Sequence, residues 1–352
     1  MAVNLASKYS PQIDKKFVLE SFVIGKVSTD YDFVGVNAIS IYTPITKTVG
    51  TYTRSGENRF GTVTEMQDTT QILKLTQDIA WTISIDKGND EDQLNIKGAG
   101  KMLQLQLEEQ VVPTMDMYAL KVFAHQAGQS VVVAAATKAN VVGLIASGFT
   151  ALRNKKVPSK DIFIYVGATV FEYINMATEV MAADPLSSDI LGNGVMGKLF
   201  GWPLVVMPDD YLPTGVQFMI MYKHSGLMPR KIKTLRILTD VQGIDGSVLE
   251  GRDYYDAFVL ANKSNGIYVG VLTANKTATP VITNAANSCT IGDVTGVEFK
   301  YTVDGSDPRY SSTAVVYTGA VVLTVGQVFT TFGRTTDGTK CWSNLAESPY
   351  AA

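Results

Sequence analysis

Histidine and cysteine are the scarce residues of this chain, with two of each among 352. His125, His224, Cys289 and Cys341 show none of the close CxxC or HxxxH spacings of a zinc site, which argues against a dedicated transition-metal centre. Cys289 and Cys341 can pair if the fold joins them, but a cytoplasmic product normally keeps its thiols reduced. Long apolar runs are missing too. None approaches the ~18 residues of a membrane helix, so no span is expected. The opening MAVNLASKYSPQIDKKFV lacks the apolar stretch of a secretory leader, and the chain is expected to stay in the cytoplasm of the cell that makes it. A basic excess is also absent. The net charge is -3, whereas nucleic-acid readers draw affinity from clustered Lys and Arg.

What is present is the composition of a globular protein, 46% hydrophobic and 18% charged. At roughly 150 residues per domain the length suggests two or three domains. Composition changes near Thr273. From Asn275 to Ala352 there is no Met, although the chain has 12, and Thr, Val and Gly in short alternating segments dominate. That pattern predicts a separate all-β module, with a linker from Thr273 to Thr279 ending at Pro280.

In the larger part, Leu73 to Asp86 alternates with a period of two. Leu73, Leu75, Ile79, Trp81, Ile83 and Ile85 are apolar, and Lys74, Thr76, Asp78, Thr82, Ser84 and Asp86 are polar. The period of two predicts one strand, ~45 Å long at ~3.3 Å per residue. Asp32 to Tyr42 can pair with part of it, across the polar TKTVGTYTRSGENRFGTVTEMQD, so the whole reads as a projecting hairpin arm. A long helix follows from Asp90 to a break at Pro113, ~36 Å at 1.5 Å per residue. Asn89 or Asp90 would cap it, with Glu91 and Asp92 in its first turn and Ile96, Leu103, Leu107 and Val111 on one face. A further helical piece spans Met115 to Ala127. Next come a helix from Asn140 to Lys155, the buried strand DIFIYVG, a helix from Ala168 to Ala183, and the strands PLVVMP, QFMIMY and KTLRILTD. The run GRDYYDAFVLANKSNGIYVGVLT predicts two strands joined by a hairpin turn at Asn265-Gly266.

Each motif with a chemical reading has a plainer structural one. GNGVMG (Gly192 to Gly197) matches GxGxxG but follows ADPLSSDIL, not a strand, so it reads as a loop. Asp86, Asp90, Glu91 and Asp92 read as helix capping and a solvated face, ahead of paired catalytic carboxylates. Asp304 and Asp307 of DGSDP read as a turn, since the loop lacks the further acids of a calcium site. His125 and His224 have no nucleophile motif beside them and read as packed or interfacial. GAGKM (Gly98 to Met102) is not a phosphate loop, because Asn95 and Met102 stand where Gly and Ser or Thr are needed. The pairs Lys15-Lys16 and Lys155-Lys156 read as solvated, with contact to packaged DNA or a scaffold as the lesser reading. No catalytic residue, cofactor site or metal site is identified.

The ordered set of a polar amino-terminal arm, long hairpin, charged-capped helix, α/β unit and closing strand pair covers about residues 10 to 273. With IDKGNDEDQ, KKVPSKDIFIYVGATVFEYI and the Gly251-Arg252 to Val269 closure, it resembles the tailed-bacteriophage major capsid proteins. The resemblance implies an α+β fold of the Hong Kong 97 type. Its parts would be an amino-terminal arm (1–30), an extended-loop hairpin with flanking strands (31–86), a peripheral domain carrying a spine helix (87–136 and 241–273) and an axial domain (137–240). It further implies a non-enzyme that assembles with itself into hexamers and pentamers, meets a portal and a scaffolding protein, and encloses double-stranded DNA without reading it. Its place would be the virion, after assembly in the host cytoplasm; a near-neutral wall would leave that DNA unattached.

Residues 274–352 carry a second resemblance. EFKYTVDGSDPRYSSTAVVYTGAVVLTVGQVFTTFGRTTDG is similar to the immunoglobulin-like carboxyl-terminal module of some chitobiases and hexosaminidases. In those enzymes the module is an accessory, which implies here an all-β sandwich decorating the outside and dispensable for assembly. Two other functions share some of these features: an encapsulin-like nanocompartment shell, with enzyme cargo in place of DNA, and a carbohydrate-binding or adhesion protein.

Overall fold

The computed structural model describes residues 20–31, 33, 38–47, 49–63, 65–66, 68–92, 98–177, 197–239, 241–285 and 288–349. The described chain runs β1 (Ala38–Pro44), β2 (Asp68–Lys74), β3 (Gln77–Asp86), α1 (Lys87–Asp92), α2 (Ala99–Gln106), a π-helical turn (Leu107–Val111) and α3 (Val112–His125). It continues with β4 (Gln129–Val132), α4 (Val141–Asn154), β5 (Ile162–Gly167), α5 (Ala168–Asn175), β6 (Lys198–Leu199), β7 (Trp202–Met207) and β8 (Val216–Tyr222). Next are β9 (Gly226–Leu227), β10 (Arg230–Leu238), β11 (Gly246–Tyr255), β12 (Phe258–Val259) and β13 (Ile267–Val271). The last part holds β14 (Ile282–Ala285), β15 (Ser288–Ile291), β16 (Val297–Thr302), β17 (Val315–Val316), β18 (Val321–Val322), β19 (Val328–Thr335) and β20 (Ala346–Pro349).

A mixed six-stranded sheet, ordered β4-β13-β8-β5-β7-β6, organises the body. Its central strands are apolar on both faces because helices cover both. Ile162, Ile164 and Val166 of β5, with Phe218 and Ile220 of β8, meet Val141, Ile145, Phe149 and Leu152 of α4. The alternate residues, Tyr165, Met219 and Met221, meet Ala119, Leu120 and Phe123 of α3 on the other side. The period of two thus sorts one strand's side chains into two cores. Val23 and Val27 close the second core, where the Asp116 carboxylate receives Ser21 Oγ at 2.8 Å and Phe22 N at 2.7 Å.

Several expectations change. Leu73 to Asp86 is two strands: β2 pairs only with β1, while β3 joins the sheet β10-β11-β3, and Leu75 and Thr76 separate them. The alternation survives the break, since Leu73 and Leu75 are both buried and β3 alternates throughout. Periodicity reports which face is buried but not which strand is the neighbour. The strand pairing with β2 begins at Ala38; Asp32 and residues 34–37 lie outside the described residues.

The helical path does not break at Pro113. A π-helical turn precedes it, α3 carries the proline at its start, and the Thr114 hydroxyl donates to the Gln110 carbonyl at 2.7 Å. A widened turn accommodates the ring that a regular turn would reject. The helix beginning at Lys87 holds Asn89 and Asp90 inside it, not at its cap, and Ile96 lies outside the described residues. So do residues 178–183 of the helix expected from Ala168.

Asn265-Gly266 is no hairpin turn. β12 pairs with β9, β13 pairs with β4 and β8, and Ala261–Gly266 is a 3-10 segment. Gly266 is there for contact: a Cβ on it would lie 2.2 Å from Ser225 Oγ.

The carboxyl-terminal strands form two sheets, β14-β15-β18 and β17-β16-β19-β20. Both feed one core of Cys289, Ile291, Phe299, Leu323 and Phe329. Cys341 lies in the core of α3 instead, and both thiols are free and buried.

Candidate assembly surface

The hairpin β1–β2 and its connecting segment have little core of their own. Tyr42, Val49, Phe60, Val63, Met66 and Ile72 are exposed, Val49 fully and Phe60 at 93%. Tyr52 and Phe60 meet edge to face at 5.0 Å, which orders the far end of the arm without burying it. Apolar side chains this exposed, gathered on one hairpin and its connecting segment, leave surface open to another molecule.

The base of the arm is held firmly. Asp256, buried beyond the end of β11, accepts Thr76 N and Thr76 Oγ1, both at 2.8 Å, the Tyr118 hydroxyl at 2.7 Å and Ala257 N at 2.7 Å. One carboxylate thereby joins the β2–β3 break to α3. Burial and the neighbouring Asp256 push the Tyr118 phenol far above its ordinary range, so it stays a donor. The Gln71 amide works similarly across to β12, donating to Val259 O and accepting from Ala261 N, each at 2.9 Å. Beneath these bonds Phe33, Leu73, Leu75, Leu227 and Leu260 form a small core.

Beside the base, the sheet β10-β11-β3 presents two unlike faces. Toward the helices, Trp81 lies over Gly251, where a Cβ would fall 2.3 Å from the indole ring. Ile79 and Trp81 pack with Val111, Met115 and Tyr255. The opposite face carries cross-strand ion pairs. Arg252 grips Asp78 through two bonds of 2.9 and 2.6 Å, and Arg236 meets Glu250 at 2.6 Å. The Arg252 contact holds the Asp78 carboxyl below its usual range. Such exposed pairs add little to the stability of one chain; they order an outward, charged face.

No family model and no curated protein matches the sequence. Solved structures do match. A chain from Mycobacterium phage Che8 is 18% identical with a TM-score of 0.61, the match covering 76% of this chain and 98% of that one. The capsid structure of the cyanophage P-SCSP1u is 10% identical, TM-score 0.65, covering 77% and 93%. The mature capsid of bacteriophage PhiM1 is 12% identical, TM-score 0.59, covering 76% and 92%. The chain has the fold of phage capsid subunits. About a quarter of it has no counterpart in these matches, close to the share taken by residues 275–352.

Within the capsid fold, the residues singled out from the sequence scatter. Of GNGVMG only Gly197 is described; it accepts Leu204 N at 2.7 Å and opens β6, a strand. Asp90 and Lys87 flank a shallow groove with Asp245 and Thr239, and Glu91 and Asp92 form the last two residues of α1. Asp304 is consumed by its own loop, accepting Ser306 N, Ser306 Oγ and Thr313 Oγ1. Asp307 pairs with Arg309. His125 is buried at the end of α3, where burial, with Lys121 nearby, pulls its pKa down to about 4. His224 faces Asp30 at 3.3 Å. Lys155 and Lys156 are exposed, Lys101 of GAGKM sits on the first turn of α2, and Lys15 and Lys16 lie outside the described residues. Among the described residues no three His, Cys, Asp or Glu side chains gather to hold a metal, and no helix is long and apolar enough to cross a membrane.

Sequence reasoning passed over Asp116, Asp256 and Arg309. Two of them carried a usable signal: Asp116 falls among the apolar residues of α3, and Asp256 interrupts YYDAF, an acid inside a buried run in each case. A charge in such a position is buried only with partners.

Proposed function

We propose that this chain is the major capsid protein of a tailed phage, a shell-forming subunit that assembles with itself into hexamers and pentamers around double-stranded DNA. The observation that carries the reading is a match over nearly the whole length of known phage capsid chains. The arm supports it physically. A hairpin exposing Phe60, Val49 and Met66 while anchored through Asp256 is suited to bury its apolar surface on a neighbouring copy. Repetition by symmetry turns many such modest contacts into a stable wall. In this reading residues 1–30, 31–86, 87–136 with 241–273, and 137–240 act as arm, extended loop, peripheral and axial parts, and 274–352 as an immunoglobulin-like outer module. The role is structural, with portal and scaffold as further partners.

Electron microscopy and gradient sedimentation of the expressed chain test this. Closed particles, or hexamers and pentamers, are expected. Monomers alone across a range of salt would remove the proposal, and particles filled with a cargo enzyme instead of DNA would move it to a nanocompartment shell.

A further inference from the structure

We propose that the described residues between Asn275 and Pro349 form a fixed brace that couples the base of the hairpin arm to the carboxyl end of α3, instead of hanging from the body as a free decoration. Three sets of contacts carry this.

The first is at the end of α3. The last carbonyls of a helix find no partner inside it. Here the carbonyl of His125, the last residue of α3, and those of Gln126, Ala127 and Gly128 just beyond it all accept from the carboxyl-terminal segment. Trp342 N donates to His125 O at 3.2 Å, the Tyr310 hydroxyl donates to Gln126 O, and Arg309 Nη1 reaches Ala127 O and Gly128 O at 3.2 and 3.3 Å. Arg309 is only 5% exposed and is pre-aimed by Asp307, which accepts its Nε at 3.0 Å and its Nη2 at 2.7 Å. A guanidinium at a helix carboxyl end also meets the favourable pole of the dipole. Tyr310 and Cys341 are members of the same buried core as Ala119, Leu120 and Phe123.

The second is at the arm. Ser312 N donates to Thr70 O of β2 at 3.4 Å, and a cleft of about 440 Å³ between them is lined by Thr43, Asn262, Ser306 and Ser311. Residues 307–312 therefore touch the end of α3 at one side and the hairpin base at the other. The third is the connection itself, which is stitched and not loose. Cys341 N donates to Asn275 O and Thr277 N to Cys341 O, both at 3.0 Å, and the Lys276 ammonium donates to Ser130 O of β4.

A segment held at the helix end, the hairpin and the sheet moves only if they move. It serves as a built-in clamp on the angle at which the arm leaves the body. If the segment acts as a brace, its deletion would loosen the arm, in place of the expected lack of effect on assembly.

Hydrogen exchange on the full-length, unassembled chain tests the coupling directly, at residues 69–74 and 126–132. Arg309→Met should raise exchange at both sites by about tenfold or more, the equivalent of at least one lost bond to a charged donor. Strands β16 and β19 should keep their protection. Faster exchange at 126–132 with 69–74 unchanged would overturn the proposal, as would no change at either. Should Arg309→Met fail to fold, Tyr310→Phe removes only the hydroxyl on Gln126 O. It should give the same paired response at smaller amplitude, and an unpaired response again overturns the brace. Particle yield is the separate readout of the capsid reading on which the consequence for assembly rests: paired exchange with no particles from the unaltered chain would retain the brace and discard the shell.

Discussion

The hairpin arm and the carboxyl-terminal segment both read from sequence as attachments to a body, and they differ in where their apolar surface goes. The arm exposes aromatic and large aliphatic side chains at Tyr42, Tyr52, Phe60 and Met66. The carboxyl-terminal segment closes its own core around Phe299 and Phe329 and inserts Tyr310 into the body, and among its described residues the exposed large apolar side chains are all valines. Buried surface that is satisfied within the chain stabilises the subunit; surface left open is available to another molecule. A projecting element is thus diagnosed as an assembly device by its unspent apolar area, and as a brace by the orphan backbone groups it satisfies.

The contrast can be broken most forcefully at Asp256, the anchor common to arm and body. Asp256→Ala would leave Thr76 N, the Thr76 and Tyr118 hydroxyls and Ala257 N without their acceptor. At about 1–3 kcal/mol for each buried donor orphaned, with partial relaxation, the loss should be on the order of 5 kcal/mol, seen as a large fall in thermal midpoint. A midpoint within two degrees of the unaltered chain would mean that the arm is held by something else. Next in size is Phe329→Ala, in a fully buried position between the two carboxyl-terminal sheets. Truncating a buried Phe costs about 3–5 kcal/mol. If the segment is braced to the body, the loss should appear in one cooperative denaturant transition; two resolved transitions would restore the picture of an independent appendage.

How much of this was legible follows from the same division. Faces were legible: Val141, Ile145, Phe149 and Leu152 are buried on α4 as their helical spacing requires, and β3 alternates from end to end. Partners were not. The period of two runs unbroken through Leu75 and Thr76, yet the chain changes sheets there because Asp256, 180 residues away, captures Thr76. Pro113 looked like a stop because the π turn that admits it has no sequence signature. Asn265-Gly266 looked like a turn because glycine's need for close contact with Ser225 reads the same as a need for positive φ. The candidate surface was legible as an arm too polar and too long to pack on itself. The brace was not, because DGSDPRY is a turn by its local chemistry and an anchor only by what lies across from Arg309.

A pH series probes the joint between the two regions at smaller amplitude. His125 is buried at the end of α3, and its backbone carbonyl is one that Trp342 caps. Burial holds its folded pKa at about 4, against about 6.5 in an unfolded chain. The unfolded state therefore binds the extra proton first, and the stability this residue contributes is present above pH 6.5 and declines as pH falls toward 4. The full loss approaches roughly 3 kcal/mol at 1.36 kcal/mol per unit. His125→Gln should flatten the slope of stability between pH 6.5 and 4. An unchanged slope would place the acid sensitivity elsewhere, and exchange at 126–132 should rise in the same window in the unaltered chain.

The smallest expected effect on the subunit is the most informative about the arm. Phe60 is 93% exposed and touches Tyr52 edge to face, so Phe60→Ala should change the stability of the free chain by no more than about 0.5 kcal/mol. On a neighbour's surface the same ring would bury most of its area, worth about 1.5–3 kcal/mol per contact. A shell repeats that contact at every subunit, so a deficit invisible in the monomer is multiplied in the assembly. The expected outcome is an unaltered melting curve together with a sharp drop in particle yield at fixed protein concentration. Should both remain unaltered, the exposed aromatic end of the arm is not what binds the next subunit, and the search moves to Val49, Val63 and Met66 along the same segment. A variant that lowers the melting midpoint would instead mean that the ring is already buried in the free chain, and the arm would then resemble the carboxyl-terminal segment in spending its apolar surface at home.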